Sequence, residues 1–219
     1  MTFKELILEY GIEYLKALLM TWRLTALSFI VALVLGIFIT VLRISPIGVL
    51  RKVSNWYIQI FRNIPGAAFL IVLVYAFPYL NIVFSYYTCV LIATSLIPSA
   101  FCSDYLLSGV NTIKPGQIEA ARALGFSFSK IVRIIIIPQT LRTSVLSLTN
   151  LLIATMLTTA LASQVPMNTR DLTGIVDYIN THNTGGVLAF VISAALYVLT
   201  AVVIGQLGNF IDKKVRIRR

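Results

Sequence analysis

Charge is scarce in this sequence, and the groups that usually carry chemistry are scarcer still. Charged residues make up 12% of the chain, with 8 acidic against 18 basic side chains, one histidine and two cysteines. The single histidine, His182, has no companion at metal-ligand spacing, so no metal site is expected. Cys89 and Cys102 lie 13 positions apart, about 20 Å along a helix, whereas a disulfide bridges at most ~7 Å between Cα atoms. They read as small buried apolar residues. No glycine is followed by lysine anywhere, which excludes the phosphate loop needed to bind and hydrolyse ATP. Outside the loops, a Ser/His/Asp set and a close carboxylate pair are missing too. The chain is therefore expected to be no enzyme and to bind no cofactor of its own. Nor does it open with a clean apolar leader, because Glu5, Glu9 and Glu13 interrupt the first turns.

What is abundant is hydrocarbon. Hydrophobic side chains make up 58% of the 219 residues, against roughly 45–50% in soluble domains. The excess is organised. No charge falls between Leu24 and Leu42, Asn63 and Ser103, Thr143 and Thr169, or Asn183 and Ile211. A membrane-crossing helix needs about 20 apolar residues, so the long second run holds two, divided by the turn residues between Pro78 and Ser85. Five spans are expected, at 24–42, 62–78, 86–107, 144–165 and 187–209. Each must be helical, because an open strand leaves backbone groups unpaired in lipid. The expected fold is an all-α membrane protein, one transmembrane domain over 1–219. Ahead of the first span, Phe3, Leu6, Ile7, Tyr10, Tyr14 and Leu18 fall at helical spacing and predict an amphipathic surface helix leading into it.

The basic residues orient these spans. Arg43, Arg51, Lys52 and Arg62 fall between spans one and two. Lys114, Arg122, Lys130, Arg133 and Arg142 follow span three, and Lys213, Lys214, Arg216, Arg218 and Arg219 close the chain. Only Lys4, Lys16, Arg23 and Arg170 fall on the other side. The positive-inside rule then puts the N-terminus outside and the C-terminus in the cytoplasm. A net charge of +10 distributed this way orients a membrane protein and gives no reason to expect nucleic-acid binding. Trp22, Tyr75, Tyr79, Tyr86 and Tyr87 fit an outer aromatic belt.

Between spans three and four lies the longest cytoplasmic stretch, and its punctuation is specific. Pro115 opens a helix. Gln117 to Leu124 supplies two turns, with Ile118, Ala121 and Leu124 on one face, and Gly125 stops it where a positive φ is required. A second short helix, Ser129 to Ile137, is expected to end or kink at Pro138. Glu119 and Arg122 stand three apart, placed to pair with each other or with a partner.

The order Glu119-Ala120-Ala121, three residues, Gly125, nine residues, Ile135 and a Pro138-ended apolar pair resembles the signature of integral-membrane subunits of bacterial ABC importers. Ile137 stands where that family usually has Leu. Arg62-Asn63-Ile64-Pro65 is similar to the box opening the second span of its polar amino-acid permeases. So are Ile113-Lys114-Pro115-Gly116-Gln117, Ile136-Ile137-Pro138-Gln139-Thr140-Leu141-Arg142 and Leu161-Ala162-Ser163. The resemblance covers about residues 17 to 210. It implies a multi-pass subunit in a bacterial plasma (inner) membrane that moves a polar amino acid (glutamate, glutamine or aspartate) by alternating access. It further implies a cytoplasmic ATP-binding subunit dimer carrying ATP and Mg, a second permease subunit and an extracellular substrate-binding protein. Glu119, Ala120, Ala121, Arg122, Gly125 and Pro138 become the residues that couple to the ATPase. Permeases for an osmoprotectant or methionine are the nearest alternatives, and an ion-coupled secondary transporter a more distant one.

Asp104 is the one carboxylate within a span, which marks it either for substrate contact or as a carboxylate near the interface or paired with a neighbouring subunit. Where the resembling family has Glu followed three residues later by Arg, this chain has Asp104 and Leu107. Where it often has Lys-Asp-Thr-Ser in the fourth span, this chain has Leu157-Thr158-Thr159-Ala160. Charge has left the expected path, and a heterodimer whose partner supplies it is favoured over a homodimer. Thr155, Thr158, Thr159, Ser163 and Gln164 then line the path, or their hydroxyls bond to helix backbone.

Overall fold

The structure is a computed structural model that describes residues 2–182 and 186–215. Asn183, Arg216, Arg218 and Arg219, which entered the span and charge readings above, lie outside the described residues. All the regular secondary structure of the described residues is helical. α1 is Phe3–Arg43, α2 Gly48–Asn63, α3 Gly66–Leu80, α4 Tyr86–Val110 and α5 Pro115–Ala123. α6 begins at Phe128–Ile131, widens into a π turn at Val132–Ile136 and continues as Ile137–Thr143. α7 is Val145–Gln164, its last turns a 3-10 helix; α8 is Gly174–His182 and α9 Gly186–Val215. Four helices, α1, α4, α7 and α9, are long and apolar enough to cross a membrane, and the bent pair α2 and α3 passes the same test when taken together.

Two expectations about span ends are corrected. α1 is one helix of 41 residues, about 60 Å long at 1.5 Å per residue, and has no separate surface helix in front of it. Glu5, Glu9 and Glu13 break the hydropathy but not the backbone, since glutamate is a good helix former. The helix of the second expected span starts at Gly66 rather than at residue 62. Pro65 lacks an N–H and pushes Ile64 out of helical geometry, so α2 stops at Asn63 and α3 starts at Gly66 after a bend of 100°. α3 then loosens through a π turn, Val72–Ala76, and a 3-10 turn, Phe77–Leu80, closing on Asn81 at φ 61.

The chain forms two compact units. The first gathers Met1–Ile30, Ile64–Ser95 and Leu152–Ile204. In it Leu6, Tyr10, Tyr14 and Ala17 of α1 are buried against Leu172, Ile175 and Ile179, and the Tyr14 hydroxyl donates to the Ala189 carbonyl at 2.9 Å. The buried stripe is narrower than expected, because Phe3 and Ile7 face outward. A second cluster joins Met20 and Leu24 to Leu70, Leu73, Val90 and Val165, and Ser28 and Thr94 share a buried hydrogen bond of 2.7 Å.

The second unit gathers Val31–Asn63, Leu96–Leu151 and Gly205–Arg219. Lipid is as apolar as leucine, so helices in it associate through close backbone approach and interhelical hydrogen bonds. Gly36 of α1 supplies the approach: a Cβ there would stand 2.6 Å from the Cβ and Sγ of Cys102 on α4. One turn on, Thr40 donates to Gly36 O at 2.7 Å and reaches Ser103 Oγ at 3.1 Å. Cys89 and Cys102 are buried, as their spacing suggested.

Candidate functional site

The segment singled out by its punctuation folds as a built unit. Pro115 stands at the first turn of α5, where its missing N–H leaves nothing unpaired. The helix ends in a Schellman arrangement: Gly125 N–H donates to Arg122 O at 2.9 Å, and Phe126 N–H to Ala121 O at 3.0 Å. Gly125 takes φ +75, the left-handed value anticipated for it, with open space where a side chain would be. Phe126 then packs beside Ala121 in a cluster with Ile113, Ile118, Ile131, Val132 and Ile136. Glu119, Ala120 and Arg122 face outward, and among the described residues Glu119 and Arg122 have no ion-pair partner. Leu124 does not share the Ile118–Ala121 face. It is 75% exposed, because the backbone has already left the helix there, with ψ at 7.

Of the two outcomes expected at Pro138, a stop or a kink, the stop does not occur. The π turn over Val132–Ile136 lies just ahead of Pro138. Widening the turn relieves the clash a proline ring makes with the carbonyl four residues back, and the helix runs on to Thr143. Two features of this unit were not anticipated. Gln139 Nε2 donates to Gln117 Oε1 at 2.9 Å, tying α6 to α5. Ser127 caps α6 by accepting from Lys130 N–H, while the Lys130 ammonium lies 3.9 Å from the Phe126 ring centre. No local signal announces a glutamine pair 22 residues apart.

Asp104 is held within its own chain. Arg43 of α1 donates to Asp104 Oδ1 at 2.7 Å and Arg62 of α2 to Oδ2 at 2.6 Å. One carboxylate thus joins three helices, and Arg62 also lies over the Phe101 ring. The signal for this was charge parity: one acidic residue in a span, with cations ending the neighbouring apolar runs.

Thr158 donates to Thr155 O, Thr159 to Met156 O and Ser163 to Ala160 O. Thr155 and Thr159 are buried, Ser163 is half-buried, and Thr158 and Gln164 are exposed. His182 is exposed at the end of α8, and among the described residues no three His, Cys, Asp or Glu gather as a metal-ligand set. A further carboxylate escaped the sequence reading. Asp171 is 1% exposed and accepts from Gly174 N–H, Thr173 N–H and the Tyr197 hydroxyl. Burial pushes its carboxyl above the ordinary range, and the two backbone donors and Tyr197 pull less strongly the other way. Its spacing three residues ahead of α8 is the helix-start signal that could have found it.

Residues 32–217 match the model of the family described as binding-protein-dependent transport system inner membrane component. The chain belongs to that family. It is 32% identical to a glutamate transport system permease protein of Corynebacterium efficiens, over 94% of this chain and 95% of that one. It is 28% identical to a probable amino-acid ABC transporter permease protein of Bacillus subtilis, over 91% of this chain and 88% of the other. The crystal structure of an amino acid ABC transporter superposes with a TM-score of 0.85 at 25% identity, covering 98% of this chain and 99% of that one. The permease is thus an all-helical, multi-pass component of the inner membrane. Transport is its work.

Proposed function

We propose that this permease subunit carries a polar amino acid, with glutamate, glutamine or aspartate favoured, into the cell in an ATP-driven importer. In this reading the N-terminus is outside and the C-terminus cytoplasmic. An external binding protein delivers the solute, a cytoplasmic ATPase dimer burns ATP with Mg, and a second, different permease completes the path. The names of the relatives support the amino acid and the glutamate preference. The observation that carries the mechanism is α5. Its outward residues Glu119, Ala120 and Arg122 and the open Gly125 turn leave a small-residue surface for a partner. Its inward residues Ile118 and Ala121 are anchored against α6. ATP-driven closure of the partner presses on this surface, and α6, Pro138 included, carries the displacement toward α7. Asp104, Thr155, Thr158, Thr159, Ser163 and Gln164 remain the proposed path residues, with the partner permease supplying the charge this chain lacks.

The test is reconstitution of the permease with its ATPase, second permease and binding protein in proteoliposomes. Gly125→Trp should lower ATP-driven uptake of labelled glutamate or glutamine by about tenfold or more while ATP hydrolysis continues. Unchanged uptake would sink the docking model, and recovery of an active transporter built on two copies of this chain would sink the heterodimer.

A further inference from the structure

The sequence leaves only Lys4, Lys16, Arg23 and Arg170 on the side assigned to the exterior. In the first unit three of those four converge. Lys16, Arg23 and Arg170 line one cleft of about 490 Å³. Met20, Arg23, Asn168 and Thr169 form a wall shared with a second cleft of about 620 Å³, which continues past Ser85 and Tyr87. Glu13 is the only acidic residue in either lining, so positive charge is in excess. Among the described residues none of Glu13, Lys16, Arg23 or Arg170 has an ion-pair partner.

The two arginines are held in place without being neutralised. The Arg23 guanidinium carbon lies 5.6 Å from the centre of the Tyr87 ring, and that of Arg170 3.8 Å from the Tyr178 ring. Stacking on an aromatic face orients a guanidinium and leaves its N–H edge free for a bidentate acceptor. In the same wall the Tyr87 hydroxyl is buried with no hydrogen-bond partner among the described residues. A buried donor without an acceptor is costly, and an acceptor entering the cleft would relieve that cost. Met20, Val74 and Pro78 provide an apolar side against which methylene groups pack.

We infer that these joined clefts are a vestibule that binds the carboxylates of the solute, an acidic amino acid, once the binding protein releases it and before it reaches the path between the spans. Arg23 takes one carboxylate with Asn168, Thr169 and Tyr87 as further donors; Lys16 and Arg170 take the other or draw it in. The inference rests on the proposed outward placement of the N-terminus and gives this subunit a role in choosing acidic cargo that its uncharged fourth span does not supply.

The full chain in nanodiscs tests it by direct binding of labelled L-glutamate. Aspartate should compete and lysine should not. Arg23→Gln and Arg170→Gln should each weaken binding by about tenfold, the loss of one charge-assisted contact. Arg23→Lys should recover only part of the affinity, since an ammonium offers no bidentate edge, and Tyr87→Phe should lose about threefold while the protein stays folded. Unchanged glutamate affinity in the Arg23→Gln/Arg170→Gln double variant, or equal competition by lysine, would overturn the vestibule. So would Arg23→Gln abolishing association with the binding protein but not glutamate binding, which would make the cleft a protein-docking surface. The placement is checked apart from binding. With Cys89 and Cys102 buried, Lys16→Cys should react with a membrane-impermeant maleimide from outside intact cells. Reaction only after the membrane is opened would overturn the outward reading while leaving the binding result to stand.

Discussion

Two carboxylates separate what a residue does from where the sequence puts it. Asp104 lies near the end of a span, a proposed path residue, and both of its oxygens are engaged by Arg43 and Arg62. Asp104→Asn leaves two guanidinium groups facing a neutral amide, and the thermal stability of the purified chain should fall by about 1–3 kcal/mol. Arg62→Gln should cost less, because that side chain is 44% exposed and water already screens it. Asp171 has the opposite character. Burial holds its carboxyl above the ordinary value, so the folded chain keeps a proton over a pH range in which the unfolded chain has lost it. Stability from this group is therefore greatest below the ordinary carboxylate value, near 3.9, and declines as pH rises through its raised folded value. Asp171→Asn keeps an oxygen for the Gly174 N–H and cannot ionise. Its melting temperature, measured from pH 4 to 7, should fall less with rising pH than that of the parent chain. Parallel curves would refute the buried-carboxylate account.

Elements were legible where their signals are local. Pro115 and Gly125 fix the ends of α5 through their own backbone chemistry, and both appear where the sequence puts them. Gly125→Ala retains the open surroundings but places a Cβ at positive φ, so it should destabilise this turn by about 1–2 kcal/mol. Amide hydrogen exchange at Phe126, whose N–H closes the turn, measures that. Prediction failed where a residue's effect depends on what its neighbours concede. Pro138 has the same chemistry as Pro65, yet α6 absorbs it with a π turn whereas the chain at Ile64 bends by 100°. Nothing within either stretch of sequence distinguishes the two outcomes. The glutamates of α1 misled for another reason: hydropathy reports the environment of a helix, not its continuity. Gly36 was not singled out at all, because close approach to Cys102 is a property of two helices. Gly36→Leu should destabilise the chain by about 1–3 kcal/mol by overpacking that contact, read as a lowered melting temperature.

At the scale of the whole molecule, charge and burial divide the work. Lys and Arg gather at span ends, while the helices differ in how much of themselves the chain covers. Within its most apolar window α4 is 56% buried and α9 only 11%, with Leu199, Val202, Val203 and Phe210 exposed. That is the face a helix gives to lipid or to another apolar helix. A charge at its centre, Leu199→Arg, should cost about 2.5–3.5 kcal/mol on insertion and lower the amount of protein recovered from membranes. The all-helical character of the apolar runs was readable in the sequence because the bilayer forbids alternatives. The glutamine pair, the Asp104 ion network and the carboxylate vestibule were not, because each is made by residues far apart in the chain.

The bond from Gln139 to Gln117 carries one more implication. Neither side chain ionises, so the joint between α5 and α6 can be neither titrated nor screened by salt. Ala121 and Phe126 belong to the apolar cluster that also joins α5 to α6, so in the proposed mechanism the two helices move together. A push on α5 should therefore arrive at α6 with the same stroke in dilute or concentrated cytoplasm, acid-stressed or not. The external cleft, built from guanidinium and ammonium groups, has no such immunity. Capture of cargo is then the stage that ionic conditions can throttle, while transmission of force keeps its gearing.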